Sequence, residues 1–243
     1  MAVLDAFDAN SFDERTAKQL LAYADRLARR GYVMNTLGNI ALRVRHSFDP
    51  EHGVIYTKQM GISLEEMGLE NVVVTDVTAG RLLYGKTPPS IGHIMNRTIF
   101  RLRPDINAVI HVHPNEVIAY FSATGARELK YISADTALIL SAPAWVLEPN
   151  INVEIDASLL EDFAHKTNCI IMPNHGVTTL GRSISEAYHR MTSTVAEVQR
   201  TILALQIAAS IGREVNWISE ASVQKMYDDA EMVIYGAPNP EKS

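Results

Sequence analysis

The sequence predicts a single α/β domain. Short apolar runs such as Val72-Val73-Val74 and Ala108-Val109-Ile110 read as strands, and segments with helical periodicity alternate with them along the whole chain. No linker, repeat or low-complexity block divides the 243 residues. A hydrophobic content of 47% is enough for one sizeable core.

The elements follow in order. Ser11-x-x-Glu14 has the form of a capping box. It opens a helix whose apolar face is Leu20, Leu21, Ala24, Leu27 and Ala28, and Gly31 stops it. After Gly38-Asn39, the alternation of Ile40, Leu42 and Val44 gives a half-buried strand. Val54 to Thr57 and Val72 to Val74 are further strands, and between them Ser63-x-x-Glu66 caps a short helical turn. A helix is expected from about Ile91 to Leu102, ending at Arg103-Pro104. The strand Ala108-Val109-Ile110 runs into His111-Val112-His113, and Pro114 occupies the first turn of the next helix. Asn152 to Asp156 reads as a strand and Ser158 to His165 as a helix. Cys169 to Met172 and Val177 to Leu180 are short strands flanking Asn174-His175-Gly176. Ser183-x-x-Glu186 opens a long helix with an apolar stripe from Ala187 to Ala209, the pattern of a helix lying on a sheet or a partner. Ser219 to Tyr235 is amphipathic, and the stretch from 237 to 243 is expected to be flexible.

Composition narrows the function. The net charge of −6 argues against nucleic acid as a main partner, because phosphate binding needs a basic stripe. No apolar run approaches the roughly 20 residues that cross a bilayer. The first residues lack the basic and apolar regions of a signal peptide, so the expectation is a soluble cytoplasmic protein. The single cysteine, Cys169, lies in an apolar run and reads as a buried, inert thiol.

His111 and His113 carry the chemistry. Residues i and i+2 of a strand face the same way, so the two imidazoles project together while Val112 faces the other side. A third histidine, His175, in a Gly-flanked turn would complete a three-nitrogen metal site with an open position, as catalytic sites have. The plainer alternative is a pair of ordinary core or surface histidines among the eight in the chain.

The chain resembles the class II aldolase/adducin family, which comprises sugar-phosphate aldolases and related metal-dependent decarboxylases. The landmarks come in the family's order: Gly38-Asn39-Ile40, Thr57 to Gly61, Val72 to Asp76, Pro89-Ser90, Arg103-Pro104-Asp105 leading into His111-Val112-His113-Pro114, Asn174-His175-Gly176 and the long C-terminal helix. The resemblance implies a three-layer α/β/α fold with a central, largely antiparallel sheet. It implies one divalent metal ion per subunit, zinc or manganese, on His111, His113 and His175. It also implies a homotetramer with sites at subunit interfaces. In the aldolases the metal stabilises an enediolate, a Lewis-acid role.

Two departures stand out. Where the family has a glutamate that shuttles protons, this chain has Gly92, and the neighbouring His93 is the candidate substitute. Tyr131 is a second candidate, near the place where aldolases put a tyrosine that reaches the next subunit's site. Among the positions that hold the substrate phosphate in the family, Asn39, Gly61 and Ser90 are kept, but Met60 and Ile91 replace hydroxyl donors. A desolvated phosphate dianion would be poorly satisfied there. Lys58 and Gln59 are left to hold a carboxylate or a phenol, or else to be solvated loop residues. The expectation is therefore a metal-dependent carbon–carbon lyase acting on a non-phosphorylated hydroxy or keto compound, by retro-aldol cleavage or decarboxylation through an enolate-like intermediate. The alternatives are a non-catalytic adducin-like scaffold and a metal-dependent dehydratase or epimerase.

Overall fold

The structure, a computed structural model, describes Phe7 and residues 11–236. In chain order the elements are α1 (Glu14–Arg29), β1 (Asn39–His46), β2 (Asp49–Lys58), β3 (Val72–Asp76), β4 (Leu82–Tyr84), α2 (His93–Leu102), β5 (Ala108–Val112), α3 (Asn115–Thr124), α4 (Ala134–Leu140), β6 (Trp145–Val146), α5 (Leu160–Phe163), β7 (Cys169–Met172), β8 (Gly176–Gly181), α6 (Ile184–Ser210) and α7 (Glu220–Tyr235). The strands form one eight-stranded sheet in the order β4-β3-β2-β1-β5-β8-β7-β6. Every neighbouring pair is antiparallel except β6 and β7.

Period-two alternation divides the core between the two faces of this sheet. Ala108, Ile110 and Val112 of β5 join one cluster, with Ile40, Leu42, Val54, Tyr56 and the apolar stripes of α1 and α6. Val109 joins the other, with Ala41, Ile55, Met95, Ile99 and Phe100 beneath α2, and with Leu160 and Phe163 of α5. The result is the expected three-layer arrangement around a largely antiparallel sheet, with α1, α3 and α6 on one face and α2 and α5 on the other. His111, two residues after Val109, therefore faces the α2 side of the sheet.

Most predicted elements form where expected, and the differences have local causes. Helix α1 starts at Glu14 and its cap is Asp13, not Ser11: the Asp13 carboxylate accepts from the Arg15 N–H and the Thr16 hydroxyl. The Glu66 carboxylate accepts from the Ser63 N–H and the Ser63 hydroxyl from the Glu65 N–H, but they close a turn without a helix. Ser158 to His165 is a short α-helix flanked by 3-10 turns. Strands β4 and β6 and helix α4 were not expected. The expected strand at Asn152 to Asp156 is absent. The Asn152 side chain accepts from the Glu154 N–H, and its carbonyl accepts from Ile155 and Asp156, so the segment folds into a turn. The stretch from 237 to 243 lies outside the described residues.

Two arginines fix the entry into β5. Arg43 donates to the carbonyls of Phe100, Arg103, Pro104 and Ile106. Arg103 clamps Asp105 and donates to the carbonyls of Ala164 and Thr167 and to Asn168 Oδ1. The Arg103-Pro104-Asp105 landmark thus ties the end of α2 and the start of β5 to the segment before β7, and so sets the depth at which His111 emerges.

Replacing Arg103 with Ala should destabilise the chain by roughly 2–4 kcal/mol at pH 7, because several buried carbonyl acceptors lose a charged donor. The Arg103 hydrogen bond holds the Asp105 carboxyl below its ordinary value of 3.8, so the ionic part of this stabilisation is complete above that pH and is lost as pH falls through the folded-state value. Urea melts at several pH values should show a wild-type advantage that is constant from pH 7 to 5 and narrows below about pH 4.

Candidate metal centre

The site is built on the middle of the sheet. Strand β5 lies between β1 and β8, and Asn39, His111 and Thr178 stand side by side across the three strands. Their side chains share the α2-facing side. His113 follows the end of β5, where its N–H donates to the Tyr32 carbonyl. His175 comes from the tight turn joining β7 to β8. In that turn Asn174 takes a left-handed conformation (φ 64°) and the His175 N–H donates to the Met172 carbonyl. Gly176 is then paired with Met172. A Cβ at Gly176 would stand 2.6 Å from His113 Cδ2 and from the Val112 carbonyl oxygen. The glycine of the His-Gly landmark is the space into which His113 fits.

The three imidazoles converge. His111 and His175 stack at 5.1 Å, and His113 stands edge-on to both. One ligand atom from each lies within 4.8 Å of the others. His111 Nε2 is 2.9 Å from His113 Nε2. His111 is fully buried, and its Nδ1 lies 2.9 Å from the Thr178 hydroxyl. That hydroxyl donates to Met95 Sδ, an acceptor only, which leaves its oxygen to accept from Nδ1–H. The Nε2 lone pair of His111 therefore faces the cluster, the arrangement that a metal-binding histidine has when a neighbour holds its other nitrogen.

A carboxylate completes the group. Glu154 Oε2 lies 3.0 Å from His175 Nε2 and 3.5 Å from His111 Nε2. Glu154 Oε1 accepts from Asn39 Nδ2 at 2.9 Å, and Asn39 Oδ1 in turn accepts from Asn96 Nδ2 of α2 at 2.8 Å. Burial alone would raise the pKa of Glu154, but His111, His175 and His113 together outweigh it and hold the group ionised, at about 2. Burial depresses His111 to about 3 and His113 to about 4, so both are neutral at pH 7. The centre gathers imidazole nitrogens and a carboxylate oxygen at one point. That donor set suits a divalent cation.

The group opens into a cleft of about 300 Å³. His113, His175 and Glu154 line its floor, with Gly38, Asn39, Gly61, Ser90 and Gly92 around them and Met60, Ile91 and Ile155 at the exposed rim.

A sequence profile, the class II aldolase and adducin N-terminal domain, matches residues 18–200. The chain belongs to this family. An L-fuculose phosphate aldolase of Methanococcus maripaludis is 29% identical over 170 residues, covering 70% of this chain and 86% of the relative. One from Methanocaldococcus jannaschii is 26% identical over 191 residues, covering 78% and 97%. Among solved structures, an L-fuculose 1-phosphate aldolase superposes with a TM-score of 0.76 over 91% of this chain and 99% of its own, at 16% identity. A sugar-phosphate aldolase from Thermotoga maritima gives 0.71 over 83% and 97%, at 18% identity. This class II aldolase-family chain is an enzyme.

The structure gathers His111, His113 and His175, and it places Asn39, Gly61 and Ser90 in the same cleft. Four other candidates stand elsewhere. His93 opens α2, but its side chain is 5% exposed and does not line the cleft; burial and the nearby Arg97 charge depress it to about 4. Tyr131 is buried, accepts from the Tyr227 hydroxyl and faces a separate cavity beside Trp217. Lys58 is fully buried, with its ammonium donating to the carbonyls of Thr36 and Ile62, so it ties two loops together and does not line the cleft. Gln59 pairs with Pro89 and does not line the cleft. Glu154 is the residue that sequence reasoning missed. Pro149-Asn150 and Asn152 before it are turn signals that argue against the strand reading.

Replacing His113 with Ala should abolish metal retention, measured by elemental analysis of purified protein. Gly176→Ala should keep all three ligands yet cost about 1–3 kcal/mol through overpacking against His113. Its zinc affinity should fall as the ring is displaced, which chelator competition would measure.

Proposed function

We propose that the chain is a divalent-metal-dependent carbon–carbon lyase that holds zinc or manganese on His111, His113 and His175. The observation that carries this reading is the convergence of three imidazole nitrogens beside an open cleft, whose lining includes His113 and His175. A divalent metal bound there supplies Lewis acidity, drawing charge onto a substrate oxygen in the transition state. Thr178 orients His111, and the α2 side chain Asn96 orients Asn39. Ser90 offers the cleft a buried hydroxyl whose oxygen has no partner among the described residues.

The curated relatives are named for a phosphorylated sugar. We read the substrate here as a non-phosphorylated hydroxy or keto compound, because the cleft lining contains no lysine or arginine. Lys58, the nearest candidate cation in sequence, is committed to two carbonyls. Asn39 is engaged at both ends of its amide, by Glu154 and Asn96. A phosphate dianion would be left with backbone N–H groups and Ser90 facing the apolar Met60, Ile91 and Ile155.

Retro-aldol cleavage needs a group to accept the substrate hydroxyl proton, whereas decarboxylation needs none to begin. A carboxylate in the cleft, Glu154, favours the retro-aldol route. The homotetramer is supported by the end of α6 and the residue that follows it, which expose Leu203, Ile207 and Ile211 beyond the core, a run of apolar surface suited to a subunit contact.

Dialysis against a chelator should reduce cleavage of hydroxy-keto compounds to background, and zinc or manganese should restore it. Full activity in metal-free protein would refute the metal reading. Product analysis by NMR should show an aldehyde; CO₂ without an aldehyde would assign decarboxylation. A higher kcat/KM for a sugar phosphate than for its dephosphorylated counterpart would overturn the substrate reading.

A further inference from the structure

The backbone at residue 92 is ordinary. Gly92 caps α2 with φ −64° and ψ 0°, a conformation open to any residue, so the glycine is not there for conformational freedom. What it provides is space. A Cβ built at residue 92 would fall 2.2 Å from Glu154 Oε1 and 2.1 Å from Asn39 Nδ2. The carboxylate of Glu154 fills the volume where a side chain at position 92 would begin. It arrives from the opposite direction, on the turn at 153–155 that Asn152 closes.

We propose that Glu154 is the carboxylate ligand of the metal centre, and that Gly92 is the vacancy that admits it. This rests on the reading of His111, His113 and His175 as metal ligands. Its Oε2 atom faces the same point as the imidazoles, 3.0 Å from His175 Nε2, while Oε1 is held by Asn39 Nδ2. One oxygen is thus turned toward the histidines, where it would help hold a cation, and the other is anchored through Asn39 to Asn96 on α2. The carboxylate expected from the start of α2 has changed its place in the chain and kept its place in space. Residues 92 and 154 are then mutually exclusive bearers of one acid group.

The test is a two-site exchange in the full chain, read by zinc affinity in chelator competition, with cobalt(II) absorption as a second readout. Glu154→Gln keeps the volume and the Asn39 contact. It should lower zinc affinity at least about tenfold, given the 10–100-fold sensitivity of such centres to their supporting groups. Gly92→Glu in the native background should also weaken zinc binding, because two acid groups compete for one space. In a Glu154→Ala background the same Gly92→Glu change should instead raise zinc affinity and return the cobalt spectrum toward that of wild type. Circular dichroism melts of the metal-free variants check folding. Wild-type affinity in both Glu154→Gln and Glu154→Ala would overturn the proposal, as would a Gly92→Glu effect of the same sign in both backgrounds. Absence of zinc binding by the wild type would instead refute the metal reading on which this one stands.

Discussion

The crowding of three imidazoles and a carboxylate at one point is the constraint on which the rest of the site depends. Two neutral imidazoles, a third beside them and an ionised carboxylate are brought together where the sheet meets a cleft. Buried polar groups gathered this closely are costly unless each is paired. The fold holds them there by means that owe nothing to one another. His111 is fixed by its strand on both sides, His113 by the end of that strand, His175 by a three-residue turn, and Glu154 by an Asn-closed turn. Such pre-organisation lets a centre recover the cost on binding a divalent ion.

The support extends through the sheet. Asn39, His111 and Thr178 occupy one cross-strand row, so a one-residue slip at β1 or β8 would turn a supporting side chain to the wrong face. Arg43 and Arg103 hold the loop that leads into β5, with neighbouring backbone carbonyls as their partners. The polar residues shared with the family are thus of two kinds. Some face the cleft, and some fix the register that brings the cleft together.

Much of this was legible in the sequence. His111 and His113 follow from strand periodicity, since i and i+2 share a face whatever the surrounding fold. The His-Gly turn was visible as punctuation between two apolar runs. His93 lies outside the cleft lining because a neighbour in sequence on a helix is rotated by about 100° from its predecessor, and here it is buried. Lys58, in a conspicuous motif, spends its donors on backbone carbonyls, which no reading along the chain shows. Glu154 was missed because its segment alternates apolar and polar residues like a strand, while the Asn152 side chain makes it a turn.

The sequence by itself determined the α/β class, the order of most strands and helices, and the histidine set, because these depend on local periodicity and on residue type. Only the tertiary structure decided which carboxylate stands beside the histidines. Position 92 offers nothing but a glycine to any reading along the chain. The carboxylate that occupies its space lies far away in sequence, and the two meet because the turn after β6 packs against the start of α2, a non-local contact that local periodicity does not encode.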